Sequence, residues 1–324
     1  MEHMRLTFPL LAASGGAAAL LLTACAAGSP TTGSDGTGAT VTVTDASGAE
    51  VEVPLDPEVV VTTDWSVART LDGLGVELDG VPAATAGLPD DMSGLADVAT
   101  VGSVREPDFE AISALEPDLV IVASRSGTPE IVAEMKKITP NVVDMSARWE
   151  DPADQLVTIE DRVVDLGRIF GLQDEAQAQM DEVTAGVGAV REQVVAAGDT
   201  AMFVQVSGGT VSAYGPGSRF GVVHEDFGFA DTGAPVDSEN EHGQEISQEF
   251  FTQYDPDVIY VLDRSQAIGE EAQSALEVLD NGLVDTTRAA ADGRIVQVDG
   301  FSWYIANAAP ASLAQMVEDV QKAL

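Results

Sequence analysis

Apolar residues along this chain follow several rhythms in turn, and the points where one gives way to the next mark its units. Residues 40–53 alternate apolar and polar positions, TVTVT and EVEV, around Asp45-Ala46-Ser47-Gly48, the signature of a β-hairpin. Continuous apolar runs follow at 59–62, 119–123 and 142–143, separated by stretches of helical spacing. Such runs suit parallel strands covered on both faces. From Pro152 the rhythm changes: Leu156, Ile159, Val163, Leu166 and Phe170 keep spacings of three and four until Gly171 stops the helix. A second helical segment spans 174–197. Strands are then expected at 202–206, 211–214, 258–262 and 295–298, with helices between them and a last helix at 311–323. The pattern predicts an α/β chain of two lobes with central sheets, residues 41–151 and 171–324, joined by a single long helix at 152–170, with a ligand cleft between the lobes. A single helical connector predicts limited hinge motion.

One pattern occurs twice, 139 residues apart. Glu110 to Ser126 reads EAISALEPDLVIVASRS, Glu249 to Ser265 reads EFFTQYDPDVIYVLDRS, and Glu, Pro-Asp, Val and Arg-Ser fall at identical offsets. Each copy reads as a helix end, a Pro-Asp turn and a buried strand. Ligands of open α/β sheets bind beyond the carboxyl ends of the strands, so Arg125 and Arg264 are expected where a ligand sits, one on each lobe.

Composition strengthens that expectation. The chain has 15 Lys plus Arg against 54 Asp plus Glu, a formal net charge of −39, so a cation repeated at one offset is harder to attribute to chance or to a purely structural similarity. An anionic ligand would be repelled by the general field and needs local cations. The same charge excludes nucleic acid as a partner, since phosphate binding needs a basic face.

The N-terminus sets the compartment. Residues 10–22 form an apolar stretch too short to span a membrane, read as the core of a signal peptide over 1–24. It ends in Leu22-Thr23-Ala24-Cys25, which resembles the lipobox of bacterial lipoproteins, and Cys25 is the only cysteine of the chain. The expectation is a lipid on Cys25 and attachment to the outer face of the cell membrane. Residues 25–40, rich in Gly, Ser and Thr, then act as a flexible tether spanning about 20 Å.

The remaining chemistry is sparse. Gly215-Pro216-Gly217-Ser218-Arg219-Phe220-Gly221 follows a strand and opens a helix, so it reads either as a capped turn with Ser218 as the cap or as an anion site with Arg219 beside it. No Walker loop, HExxH array, GxSxG elbow or CxxC pair is present, and no nucleophile and base recommend an enzyme. His224 falls on the helix after Arg219 and reads as structural; His242 falls in a polar loop where binding residues are displayed. Trp303 and Tyr304 follow the last strand, either as packing aromatics or at the ligand.

Taken together, GSVREPDFEAISALEPDLVIVASR, GPGSRFG, EHGQEIS, FFTQYDPDVIYVLDR and the WY pair resemble the substrate-binding lipoproteins of bacterial ABC importers for ferric siderophores, and most of all the branch that takes catecholates. The resemblance covers nearly the whole mature chain. It implies a non-enzymatic receptor without a permanent cofactor, in which Arg125, Arg219 and Arg264 contact catecholate oxygens, with Trp303 among the ligand-binding residues. His242 and Tyr304 match positions that in part of the family ligate Fe(III) directly. Glu110 and Glu249 match the glutamates that dock on the two subunits of an ABC permease dimer. The protein is expected to be a monomer. Cobalamin or haem on the same fold is the rival ligand class, and a lipid-anchored hydrolase the remote one.

Overall fold

The computed structural model describes residues 38–237 and 242–324; the leader, Cys25 and the tether up to residue 37 lie outside the described residues. The alternating segment forms the expected hairpin, β1 (Thr40–Thr44) against β2 (Glu50–Pro54), with Val41 opposite Val53. Its turn is closed by the Asp45 carboxylate, which accepts from the Ser47 and Ala49 backbone N–H groups at 2.8 and 3.1 Å. Val43 and Val53 point into the first lobe's core.

The first lobe is built on five parallel strands: β3 (Val60–Thr62), β4 (Gly80–Val81), β5 (Ala99–Thr100), β6 (Leu119–Val122) and β7 (Val142–Asp144), in the order β5-β4-β3-β6-β7. Strand order reverses between β3 and β6, so the crevice beyond their carboxyl ends is the natural place for a ligand. Thr63-Asp64 follow β3 there, and Ser124-Arg125 follow β6.

The second lobe carries β8 (Thr200–Ser207), β9 (Thr210–Tyr214), β10 (Ala230–Asp231), β11 (Gln244–Glu245), β12 (Val258–Asp263) and β13 (Ile295–Gln297). Their order is β11-β9-β8-β12-β13, with β10 also on β8. Strands β8, β12 and β13 run parallel; β9 turns back on β8 through Gly208-Gly209, whose φ values of 56° and 88° explain the two glycines.

The sequence repeat is a structural repeat. In both copies the residue before the proline is left-handed, Glu116 at φ 51° and Asp255 at φ 38°. The Pro-Asp carboxylates then receive the N–H groups that open the neighbouring strand. Asp118 accepts from Glu58 and Val59 at 3.2 and 2.9 Å, and Asp257 accepts from Thr200 at 2.9 Å. At the other end the serines of Arg-Ser reach across to that same strand's exit, Ser126 Oγ accepting from Thr63 Oγ1 at 2.8 Å and Ser265 Oγ from the Gly208 N–H at 3.1 Å. These anchors fix both ends of β6 and β12, and so fix where Arg125 and Arg264 emerge.

The connecting helix, Gln155–Ile169, belongs to both cores: Ile159 and Val163 pack in the second lobe's cluster, Leu166 and Ile169 in the first lobe's. A helix shared in this way cannot bend without opening two sets of close-packed contacts. The long helix Gln173–Ala197, ended by left-handed Gly198 at φ 72°, and the last helix, Pro310–Gln321, cover the second sheet.

Two expectations are corrected. Ser218 does not cap a helix: the helix is one turn, Val222–Glu225, preceded by Gly221, and Ser218 Oγ instead accepts from the Phe220 N–H at 3.3 Å. A loop with a glycine at that position needs no side-chain cap, and one turn makes no anion site. Trp303 is 1% exposed, tilted against Phe203 with ring centroids 5.2 Å apart, and its indole N–H donates to Asp319 at 2.9 Å, so it is core rather than cleft. His224 behaves as read, its Nδ1 lying 3.1 Å from the Phe229 carbonyl oxygen.

Asp226, at the end of that short helix, gives the fold a titratable strain. Burial pushes its carboxyl up to about 6, only partly offset by the Arg191 charge, and its Oδ2 has no hydrogen-bond partner. A raised carboxyl favours folding below the unfolded value near 4, and that contribution is lost as pH rises through about 6. Asp226→Asn is therefore expected to stabilise the protein by about 2 kcal/mol at pH 7 and by almost nothing below about pH 4. Thermal melts of both proteins across that range check it; parallel curves would contradict it.

Candidate functional site

Three guanidinium groups from three separate segments converge on one phenol. Arg125 stands in the turn Ser124–Ser126 after β6, Arg264 opens the short helix Arg264–Ala267 after β12, and Arg219 comes from the glycine-rich loop after β9. Tyr304 is presented by a single π-helical turn, Phe301–Ile305, between β13 and the last helix. The guanidinium carbons of Arg219, Arg125 and Arg264 lie 4.7, 5.2 and 5.7 Å from the Tyr304 ring centroid. Arg264 Nε donates to the Tyr304 hydroxyl at 3.0 Å, and its Nη1 donates to Ser207 Oγ at 3.1 Å. Arg219 also lies 4.9 Å from the Phe220 ring, which fixes the face it turns to the site.

The electrostatics follow from this crowding. Burial alone would raise the Tyr304 phenol, but the Arg264 hydrogen bond and the charges of Arg264, Arg125 and Arg219 outweigh it and hold the phenol below its usual range. Arg219 is pushed down, first by burial and then by the Arg125 charge.

Arg125, Arg219 and Tyr304 face a cleft of about 730 Å³ whose walls come from both lobes and whose side is the connecting helix. Arg105, Arg125, Arg162 and Arg219 line it, whereas Asp64 is the one carboxylate among the described lining residues. Asp64 is itself committed to the backbone, accepting from the Ser66 and Val67 N–H groups at 2.8 and 3.3 Å, and burial raises its carboxyl. A chain with 54 acidic and 15 basic side chains has thus inverted its charge in this cleft.

The structure brings Arg125, Arg219, His242 and Tyr304 together on the cleft wall. Arg264 reaches the site through the Tyr304 hydroxyl rather than through the wall, and Trp303 is not part of it. His242 is exposed and adjoins the undescribed residues 238–241, so the start of the EHGQ motif lies outside the described residues. Among the described residues no group of three or more His, Cys, Asp and Glu could hold a bare metal ion. Glu110 and Glu249 stand exposed in the first turns of the helices Phe109–Ala114 and Gln248–Tyr254, apart from the cleft. The Ser247 hydroxyl holds the Glu249 carboxyl below its usual range.

Sequence reasoning missed Arg105, Arg162 and Trp149, all cleft-lining. Arg162 carried a signal: it interrupts the apolar face of the connecting helix between Ile159 and Val163. Arg105 stood in the GSVREPD segment and was one of few cations in the chain. Trp149, in a stretch without periodicity, had none.

Known proteins share this fold and much of this sequence. The model of the periplasmic binding protein family matches residues 60–300. The chain is 30% identical over 277 residues to the petrobactin-binding protein YclQ of Bacillus subtilis, covering 84% of each. It is 30% identical over 268 residues to the ferric-anguibactin-binding protein FatB of Vibrio anguillarum, covering 82% of each. The crystal structure of the periplasmic catecholate-siderophore binding protein VctP of Vibrio cholerae superimposes with a TM-score of 0.79 at 29% identity, covering 88% of this chain and 100% of that one.

The chain has four tyrosines, and among the described residues only Tyr304 is ringed by arginines. Ultraviolet titration of the phenols is expected to show one tyrosine ionising below the others, absent in Tyr304→Phe and shifted upward in Arg264→Ala. A Tyr304→Phe trace identical to wild type in that early step would contradict the electrostatics.

Proposed function

The chain belongs to the periplasmic binding protein family, and on that premise we propose that it is the extracytoplasmic receptor of an ABC importer, capturing an anionic ferric siderophore of catecholate type and delivering it to the permease. The observation that carries this reading is the inversion of charge in the cleft: four arginines, of which Arg162 is bonded to the Thr44 carbonyl, and one buried, hydrogen-bonded aspartate line it, with a fifth arginine, paired with Glu270, behind Tyr304. Such a surface attracts a ligand whose negative charge is spread over several oxygens. A planar guanidinium matches the paired oxygens of a metal-bound catecholate, and it stays charged at any physiological pH. The relatives named for petrobactin, ferric anguibactin and catecholate siderophores support the same class.

Iron is cargo in this reading and arrives with most of its oxygen ligands from the siderophore. His242 and Tyr304 complete the coordination when the siderophore leaves two positions open. A phenol held below its usual range by three arginines suits this, because Fe(III) is a hard acid that favours the anionic oxygen. The arginines then neutralise what charge remains on the complex. Delivery uses Glu110 and Glu249, exposed at the same offset of the repeat on either lobe, against arginines of the two permease subunits. Lipidated Cys25 and the tether keep the monomeric receptor at the membrane. Among the described residues no helix is long and apolar enough to cross a membrane.

Titration with a ferric tris-catecholate tests the ligand class. Arg125→Ala, Arg219→Ala and Arg264→Ala are each expected to weaken binding by about 1.5 to 3 kcal/mol, the range of a charged hydrogen bond. His242→Ala should matter only for a tetradentate ferric complex. Unchanged affinity in all three arginine variants would remove the cleft assignment, and a response to cobalamin or haem alone would favour the rival ligands. Replacing Glu110 and Glu249 together should abolish uptake while sparing binding, and Cys25→Ala should free the protein from the cell surface; wild-type uptake and retention would place docking and anchoring elsewhere.

A further inference from the structure

Arg69 is a buried cation that the cleft does not use. It lies on the helix Trp65–Gly73 of the first lobe and is 7% exposed. Its donors divide between two directions. Nε and Nη2 donate to Asp91 Oδ2 at 3.0 and 2.8 Å, within the first lobe. Nη1 donates to Ser302 Oγ and to Ser312 Oγ, both at 2.9 Å, across more than 200 residues of chain into the second lobe. The guanidinium carbon also lies 5.7 Å from the Phe301 ring centroid.

What Arg69 grips is the turn that carries Tyr304. Ser302 is inside the π-helical turn Phe301–Ile305, two residues from the phenol, and Ser312 is in the first turn of the helix that follows. The second lobe holds the turn from its own side: the Ser302 N–H donates to Asp299 at 2.7 Å, and Trp303 is tied to Asp319. Neighbouring contacts cross the same seam. Trp65 meets Phe301 edge-on with centroids 6.1 Å apart, and the Ala308 N–H donates to Ser66 Oγ at 3.2 Å. A π-turn lacks the regular helical ladder, so its geometry depends on such outside partners.

The Arg69–Asp91 pair adds little to stability, because the Asp91 carboxylate is half exposed and solvent screens the attraction. Directional bonds to two serines instead specify one arrangement. We propose that Arg69 is a positioning residue for the cleft: by bonding the first lobe to the Tyr304 turn, it sets Arg125 at its working distance from Arg219, Arg264 and Tyr304 before any ligand arrives. Affinity then includes little cost of bringing the lobes together. The inference rests on the ligand class proposed above, and it touches no ligand atom itself.

The test uses the purified full chain with Cys25→Ser, spin-labelled at Ala133→Cys on the first lobe and Glu192→Cys on the second, both exposed helical positions. Wild type should give one narrow inter-lobe distance with and without ferric tris(2,3-dihydroxybenzoate). Arg69→Met should give a broader distribution without ligand, return to the wild-type distance at saturation, and bind roughly tenfold more weakly, as expected if only about a tenth of the molecules stay competent. Arg69→Lys, which keeps the charge but cannot reach both partners, should fall between the two. Should Arg69→Met fail to fold, Ser302→Ala with Ser312→Ala removes the cross-lobe acceptors at small change in volume and must reproduce both effects. An unchanged ligand-free distance or unchanged affinity in a folded variant overturns the proposal. If wild type does not bind the probe, the functional reading fails, and the ligand-free distances still decide for or against the clamp.

Discussion

Three positive charges held around one phenol are the constraint on which the rest of this structure depends. Two unit charges about 10 Å apart in a partly buried setting repel by about 1.7 kcal/mol, and the arrangement repeats that cost for each pair. Carboxylates relieve some of it: Asp64, which also caps the helix it opens, attracts Arg125, and Glu270 lies 3.8 Å from Arg264. Tyr304 offsets it in part, by its ring face toward all three guanidiniums and by its hydroxyl toward Arg264. An anionic complex in the cleft removes the remainder. The general negative charge of the chain makes the contrast sharper, because its overall field repels such a ligand.

Holding like charges together needs a frame that does not relax. Each arginine is fixed close to a strand end, and in both copies of the repeat the strand is pinned at both termini by side chains that bond its neighbour. The connecting helix is packed into both cores, so the lobes cannot separate to relieve the repulsion without losing apolar contacts. Repulsion is thereby stored in the ligand-free protein rather than dissipated, which is what preorganisation toward an anion requires.

Much of this was legible in the sequence, for identifiable reasons. The parallel strands are apolar runs with breakers at their ends, and the connecting helix keeps its spacing from Leu156 to Phe170. Arg125 and Arg264 were visible because the repeat put them at one offset. Strands β4 and β5 left no trace, being two residues long in a stretch rich in Gly, Pro and Ala. Trp303 and Tyr304 could not be told apart as neighbours in an aromatic pair; only the tertiary position of Asp319 draws one into the core and leaves the other at the cleft. The Ser218 cap failed because its helix is a single turn. Arg69 was silent for the plainest reason: its partners lie 233 and 243 residues away.

Trp149 lines the cleft, so its fluorescence is expected to change when the cleft is filled. The most direct test of the central claim is therefore a fluorescence titration of the purified protein with an anionic ferric catecholate, a ferric hydroxamate, haem and cobalamin in parallel. A cleft selected for spread negative charge predicts saturable quenching at submicromolar ferric catecholate, and much weaker response to the uncharged hydroxamate complex. Silence toward the catecholate with a saturable response to cobalamin would contradict it.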